Sequence, residues 1–283
     1  MTTLKTESIV ENALHHWGAR TMPFLEGGND EPFFTDAMKE ALELLQQSAV
    51  LRSVMLLSGA NGIGKSALAT YWGRNLEQKR FFPVIITHAT LSGTGLLCCL
   101  LAKLGQRPGM RRSDNIERID DAVRRLGRTI PVVILDEAQH YTASAMEELR
   151  LLLGLNLPKH PLFALVLVGD NYLLDTLRLH SRRALYSRIS AAYQLQPLTP
   201  EQIEPYLQHR LGQAGIHRQC FEPPALEMLT AAADGIPRTI NLLASSALIE
   251  AARHKANTIG PEHLQIAIKR VPMAQEKVAL PSS

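Results

Sequence analysis

Aromatic residues make up only 5% of this 283-residue chain, cysteines number three, and no apolar run approaches the length of a bilayer. Aromatics are too few, and too separate from the basic stretches, to form a surface that stacks on successive bases. Cys98 and Cys99 are adjacent and Cys220 stands alone. That spacing gives no metal site or disulfide framework, and it predicts reduced, packed thiols of a cytoplasmic protein. The ten histidines, His15, His16 and His254 among them, fall into no zinc pattern. The opening MTTLKTESIV has no basic head followed by an apolar stretch, which predicts no secretory leader. PLFALVLVG is among the longest apolar runs and is strand-sized, so no membrane partner is expected. Internal repeats and low-complexity tracts are absent as well.

What is present is ordinary in bulk and uneven in detail. Hydrophobic residues are 46%, charged residues 20%, and the formal net charge is +3. Residues 1–36 carry six acids against two bases, whereas residues 103–128 carry eight bases against four acids. From Arg178 to Arg188 there are four arginines and no acid. Local blocks of this kind point to anionic partners better than the whole-chain charge does.

Along the chain, residues 1–40 read as a lead-in in which MPFLEGGNDEPFF mixes turn formers with aromatics, and DAMKEALELLQQSA forms an amphipathic helix at its end. SVMLLSG, FFPVIITHA, TIPVVILDEAQ, PLFALVLVGD and AAYQLQPL read as five strands, with helical patterns between them. In the helix after QRPGMRRSD, Ile116, Ile119, Val123 and Leu126 make one apolar stripe, with Asp114 and Glu117 placed to cap its start. After Pro197 the pattern is helical throughout, opening on a Thr199-Pro200 start with Gln202 at the reciprocal capping position. Strands alternating with helices, then helices alone, predict a parallel α/β sheet with an α-helical lid. The expected divisions are a lead-in at 1–40, an α/β core at 41–196, a lid at 197–271 and a loose tail at 272–283.

One loop carries the strongest chemistry. Gly59-Ala60-Asn61-Gly62-Ile63-Gly64-Lys65-Ser66 follows a buried strand and opens a helix, continuing through Ala67. Small residues let backbone N–H groups close around phosphate oxygens; Lys65 then reaches the terminal phosphates, and the Ser66 hydroxyl can ligate Mg²⁺. Asp136 ends the apolar run VVIL, where a lone carboxylate is costly unless a cation neutralises it. Mg²⁺ on ATP phosphates is such a cation, and Glu137 beside it can orient and deprotonate a water. ATP and Mg²⁺ are therefore the expected cofactors.

With the loop, the LDE strand, a later strand and a helical end in this order, the chain resembles the AAA+ ATPases, a P-loop NTPase family. More narrowly it resembles the ExeA/TniB/TnsC group of DNA-transposition ATPases, through MPF, THATLSGTGLL, ILDEAQ, LVLVGDNYLL, SRIS and GIPRTINLLASSAL, spread from Met22 to Val271. The resemblance implies a five-stranded parallel sheet with a C-terminal helical lid. It implies a polar sensor at Asp170 or Asn171, although the group often has glutamine after that glycine. It also implies an arginine finger acting in a neighbouring subunit at Arg188, with Arg182 and Arg183 as nearby alternatives, and a lid sensor at Arg238 that contacts the γ-phosphate.

The same resemblance implies contacts to the phosphate backbone of duplex DNA from Lys103, Arg107, Arg111 and Arg112, with little sequence preference; a solvated charged loop is the competing reading. The expected function is ATP-dependent assembly on DNA, as a ring or helical filament of identical subunits. The assembly would select or present a target site to a transposase, with or without a target-selector protein, and its ATP hydrolysis would be slow and stimulated by assembly. The alternatives are an ExeA-like accessory of secretion or pilus assembly, a group that usually adds a transmembrane segment and a further domain not seen in this sequence, and a nucleotide-switched signalling module without DNA.

Overall fold

The computed structural model describes residues 6–25, 31–87, 92–156, 160–179 and 183–279. In chain order the elements begin with α1 (Thr6–Trp17), α2 (Asp36–Leu51), β1 (Val54–Gly59), α3 (Lys65–Arg74) and β2 (Phe81–Ile86). They continue with α4 (Gly93–Lys103), α5 (Arg112–Arg125), β3 (Ile130–Leu135), a 3₁₀ turn (Ala138–His140), α6 (Ala143–Gly154) and β4 (Ala164–Val168). α7 (Leu173–Arg178), α8 (Arg183–Tyr186) and β5 (Ile189–Leu195) complete the alternating part. The helical end is α9 (Pro200–Gln213), α10 (Pro223–Ala233), α11 (Pro237–Arg253), α12 (Pro261–Arg270) and α13 (Pro272–Ala279). These residues fall into two compact units, one of Phe34–Asn61 with Lys65–Gln196, the other of Met1–Phe33, Gly62–Gly64 and Pro197–Ser283.

The α/β unit is a five-stranded, all-parallel sheet in the order β2-β3-β4-β1-β5. β1 and β4 are buried at every position, and β3 at all but its first. A parallel strand with helices on both faces needs such an unbroken apolar run. One face presents Leu56, Val133, Leu135, Leu165 and Leu167 to Leu96, Leu97 and Leu100 of α4 and to Leu149 and Leu152 of α6. β5, at the edge, instead alternates in burial along its length. Gly73 lets α3 lie close on the sheet, because a Cβ there would stand 2.7 Å from Ile134 Cδ1. Register sets the functional edge: Leu57 pairs with Val168 and Leu135 with Leu167, so β1, β4 and β3 end side by side. Crevices at the carboxyl ends of parallel strands are where such sheets bind ligands.

In the helical unit, α9 to α13 each begin with proline, whose missing N–H costs nothing in the first turn. Gln202 Oε1 accepts a hydrogen bond from the Thr199 amide at 3.0 Å, the reciprocal half of the expected capping box. Gly235 takes φ +67, and a Cβ there would stand 2.2 Å from the Leu198 carbonyl oxygen. Only glycine lets the chain pass at that point.

Three local expectations change. Within the segment 1–40 expected as a lead-in, residues 34–40 group with the α/β unit, and the described residues 6–25 and 31–33 group with the C-terminal helices. The reason is Trp17, 4% exposed in their core, whose Nε1 donates to Leu248 O at 3.0 Å. Of the stretch 272–283 expected as a loose tail, Pro272–Ala279 forms α13, with Ala274 buried in the same core, and the rest lies outside the described residues. Helix α5 starts two residues before Asp114 and has no side-chain cap. The residue that organises its entry is Asn115, fully buried, whose Oδ1 accepts from the Gly109 amide at 2.6 Å.

Candidate functional site

At the carboxyl end of β1 the chain turns through Gly59 and the loop into α3. Gly62 and Gly64 take φ of +81 and +103, conformations that open the loop to its own backbone amides and exclude most side chains. Ile63 anchors the loop at 1% exposure, while Asn61 and Ala67 are exposed. Lys65 is 6% exposed, and its Nζ donates to the Gly59 and Ala60 carbonyls, each at 2.9 Å. The ammonium therefore lies within the loop, held by weak acceptors that an anion can outcompete.

Next to it, the Ser66 hydroxyl donates to Asp136 Oδ1 at 2.9 Å. The same oxygen accepts from the Glu137 amide at 2.9 Å. Burial pushes the Asp136 carboxyl up, while the Ser66 and Glu137 hydrogen bonds and the Lys65 charge pull the other way. A half-desolvated carboxylate and a serine hydroxyl, both hard oxygen donors, fit Mg²⁺, which takes one or two protein ligands and the rest from phosphates and water.

Glu137 is held in a left-handed backbone conformation, φ 51 and ψ 42, which is costly for a residue with a Cβ. Its side chain is about half exposed, and its Oε2 accepts from Gln139 Nε2 at 2.6 Å. Gln139 Oε1 in turn accepts from the Asp170 amide at 3.3 Å. Reading residue types along the sequence assigned Gln139 no role, because its partners depend on a 3₁₀ turn and on the neighbouring strand.

Of the two sensor candidates, Asp170 uses its carboxylate locally, accepting from the Tyr172 amide at 3.0 Å. Asn171 Oδ1 accepts from Gln194 Nε2 of β5 at 3.2 Å. Arg238 opens α11, and its amide donates to the Gly62 carbonyl at 3.1 Å, within the unit that includes residues 62–64. A Cβ at Gly62 would stand 2.7 Å from Arg238 Cβ.

Arg188 is elsewhere. It immediately precedes β5, where Ile189 pairs with Val54 at the start of β1, whereas the phosphate loop leaves β1 at Gly59, opposite Leu195. Arg188 instead lines a cavity of about 300 Å³ with Leu51, Arg52, Ser53, Val54, Leu153 and Pro161. Arg183 is exposed at the start of α8, and Arg182 lies outside the described residues.

Among the basic residues, Lys103, Arg107 and Arg111 are exposed. Arg112 is engaged: its guanidinium makes a bidentate pair with the nearly buried Glu148 of α6, at 2.6 and 2.9 Å. The loop between α4 and α5 is braced by this pair, by the Asn115 contact and by Arg118 Nη1 donating to Arg107 O at 2.8 Å. The braced loop presents Met110, wholly exposed, between Arg107 and Arg111.

Residues 50–177 match the family model described as AAA domain. Over 140 residues the chain is 38% identical to General secretion pathway protein A of Aeromonas hydrophila, covering 50% of this chain and 26% of that protein. Over 161 residues it is 29% identical to ATP-dependent target DNA activator B of Escherichia phage Mu, covering 55% of this chain and 50% of that protein. The chain thus spans half or less of the length of these relatives. The solved structure of the Aeropyrum pernix ORC2 protein in its ADP form is similar in fold, with TM-score 0.70 and 16% identity over 87% of this chain and 71% of that one.

Proposed function

We propose that this chain, whose residues 50–177 match the AAA domain model, is an ATPase that assembles on duplex DNA and presents a target site to a partner transposase. The observation that carries the ATPase reading is the Ser66–Asp136 contact at 2.9 Å, with Lys65 on one side and Glu137 on the other. Lys65 neutralises the terminal phosphates. Ser66 and Asp136 would hold Mg²⁺, which would offset charge on the phosphate oxygens. Glu137 accepts the proton of the attacking water. Arg238 senses the nucleotide from the start of α11, and Asp170 or Asn171 helps place the water.

The DNA part of the proposal is supported by the name of the phage Mu relative and by the exposed cations Lys103, Arg107 and Arg111 on a braced loop. Such residues bind the phosphate backbone with little sequence preference. Identical subunits stack head to tail as a ring or helical filament in the cytoplasm, Arg188 of each completing the site of the next. Hydrolysis is slow until assembly brings the finger in, and it ends the assembly.

The 38% identity to a secretion-pathway protein supports a second reading, an accessory ATPase of secretion. No described helix is long and apolar enough to cross a membrane. Retention on DNA separates the two readings. The full chain with a slowly hydrolysed ATP analogue should shift duplexes of unrelated sequence, and the affinity should fall steeply between 50 and 200 mM salt. No shift at low salt would overturn the DNA reading and leave the secretion reading and the signalling module without DNA.

A further inference from the structure

The Glu137 carboxylate is held by a side-chain amide, that of Gln139, whose oxygen accepts from the backbone just beyond a different strand. β3 ends at Leu135, the backbone reverses at Glu137, and the turn Ala138–His140 brings Gln139 beside both the carboxylate and the end of β4. Gln139 Nε2 donates to Glu137 Oε2 at 2.6 Å, and Gln139 Oε1 accepts from the Asp170 amide at 3.3 Å. One contact needs a donor and the other an acceptor, a pair of roles that a primary amide supplies in a single side chain. The space is shaped for it. At Gly169, just after β4, a Cβ would stand 2.5 Å from Gln139 Oε1. His140 Nε2, at 4.0 Å from the same carboxylate oxygen, is too far to substitute for the amide.

We propose that Gln139 is a positioning residue that ties the carboxylate of Glu137 to the peptide at Asp170. It rests on the reading of Glu137 as the group that takes the proton of water. The tie makes the aim of the base depend on the segment that follows β4. A shift of the Asp170 peptide moves the amide, and the amide carries or releases the carboxylate.

The test uses the full chain and four variants: Gln139→Leu, Gln139→Glu, Glu137→Gln, and the double variant Glu137→Gln with Gln139→Leu. Gln139→Leu should lower kcat about 10²-fold, the scale of a misplaced catalytic group, while KM for ATP stays within about threefold. In nucleotide-free protein, the Asp170 amide should exchange with solvent deuterium about tenfold faster in that variant. Gln139→Glu retains the acceptor but sets a like charge against Glu137, so it should lose turnover while the Asp170 amide stays protected. In the Glu137→Gln background, Gln139→Leu should cost nothing further in single-turnover rate, because a residue acting through another has no effect once that other is gone. Unchanged kcat in Gln139→Leu, or an equal loss in both backgrounds, would overturn the proposal. Should Gln139→Leu fail to fold, Gln139→Glu decides alone: wild-type turnover with a protected Asp170 amide overturns the tie. Wild-type turnover by Glu137→Gln would instead overturn the role of the base, whatever Gln139 does.

Discussion

Replacing Arg188 with alanine separates a finger in trans from a structural arginine. The strand register gives the geometry. From Val54, opposite Ile189, to Gly59 the chain advances five residues, so Arg188 starts roughly 17 Å from its own phosphate loop. An extended arginine spans roughly 7 Å from Cα to guanidinium at bond lengths near 1.5 Å. It cannot reach phosphates at its own loop, so a direct contact of Arg188 with phosphate would have to be made in a neighbour's site. Losing such an arginine costs on the order of 10³-fold in rate, or about 4 kcal/mol of transition-state stabilisation. ATP affinity should change little, because the phosphate loop is untouched. Mixing Arg188→Ala with Lys65→Ala protein gives the decisive assay. In a random head-to-tail assembly, about a quarter of interfaces pair an intact nucleotide site with an intact finger, so the mixture should recover about a quarter of wild-type turnover. Wild-type turnover per subunit should also fall on dilution. No recovery on mixing, together with full activity in dilute monomer, would refute the mechanism. Arg183→Ala, tested alongside, should leave turnover near wild type if Arg188 is the finger.

Arg111→Glu should weaken DNA binding on all sequences alike and lower the slope of log affinity against log salt, measured by fluorescence anisotropy. Arg112→Glu should instead lower the melting temperature, because it leaves the nearly buried Glu148 facing a like charge. Trp17→Ala should cost about 3–5 kcal/mol in chemical denaturation of the helical unit, the range for emptying a buried aromatic site. Burial pushes the Glu250 carboxyl up, but the Arg270 hydrogen bond and the charges of Arg270, Arg253 and His254 outweigh it, so the folded group titrates below its unfolded value. Its contribution is therefore present above the unfolded value near pH 4 and is lost as pH falls through the folded one. Glu250→Gln should destabilise by about 2 kcal/mol at pH 7, discounted for the half-exposed arginines, with the difference closing below about pH 4 in urea titrations.

The residues legible in the sequence are those whose chemistry depends on neighbours within a few positions. Gly59 to Ser66 read as a phosphate loop because a site of that kind needs backbone amides, ammonium and hydroxyl to follow one another along a single turn. Asp136 and Glu137 are legible because an apolar run ending in two acids has few physical explanations. The five strands appear as apolar runs, yet their order β2-β3-β4-β1-β5 does not, since pairing depends on crossovers that no local pattern records. Arg112 and Glu148 are 36 residues apart and Trp17 and Leu248 are 231 apart, and neither member of either pair marks its partner. Arg112 therefore reads as one more cation in a basic stretch until Glu148 is placed beside it. Gln139 is the sharpest case, because it stands only two residues from Glu137 and still escapes. An i,i+2 pair does not share a face on a helix. It meets here because the left-handed backbone at Glu137 folds the 3₁₀ turn back on the carboxylate, and because β4 ends next to β3 with a glycine that leaves room for the amide. What sequence spacing offers is the residue types suited to holding phosphate and metal; what the fold adds is the contact between strands, Gln139 joining Glu137 after β3 to the Asp170 amide after β4.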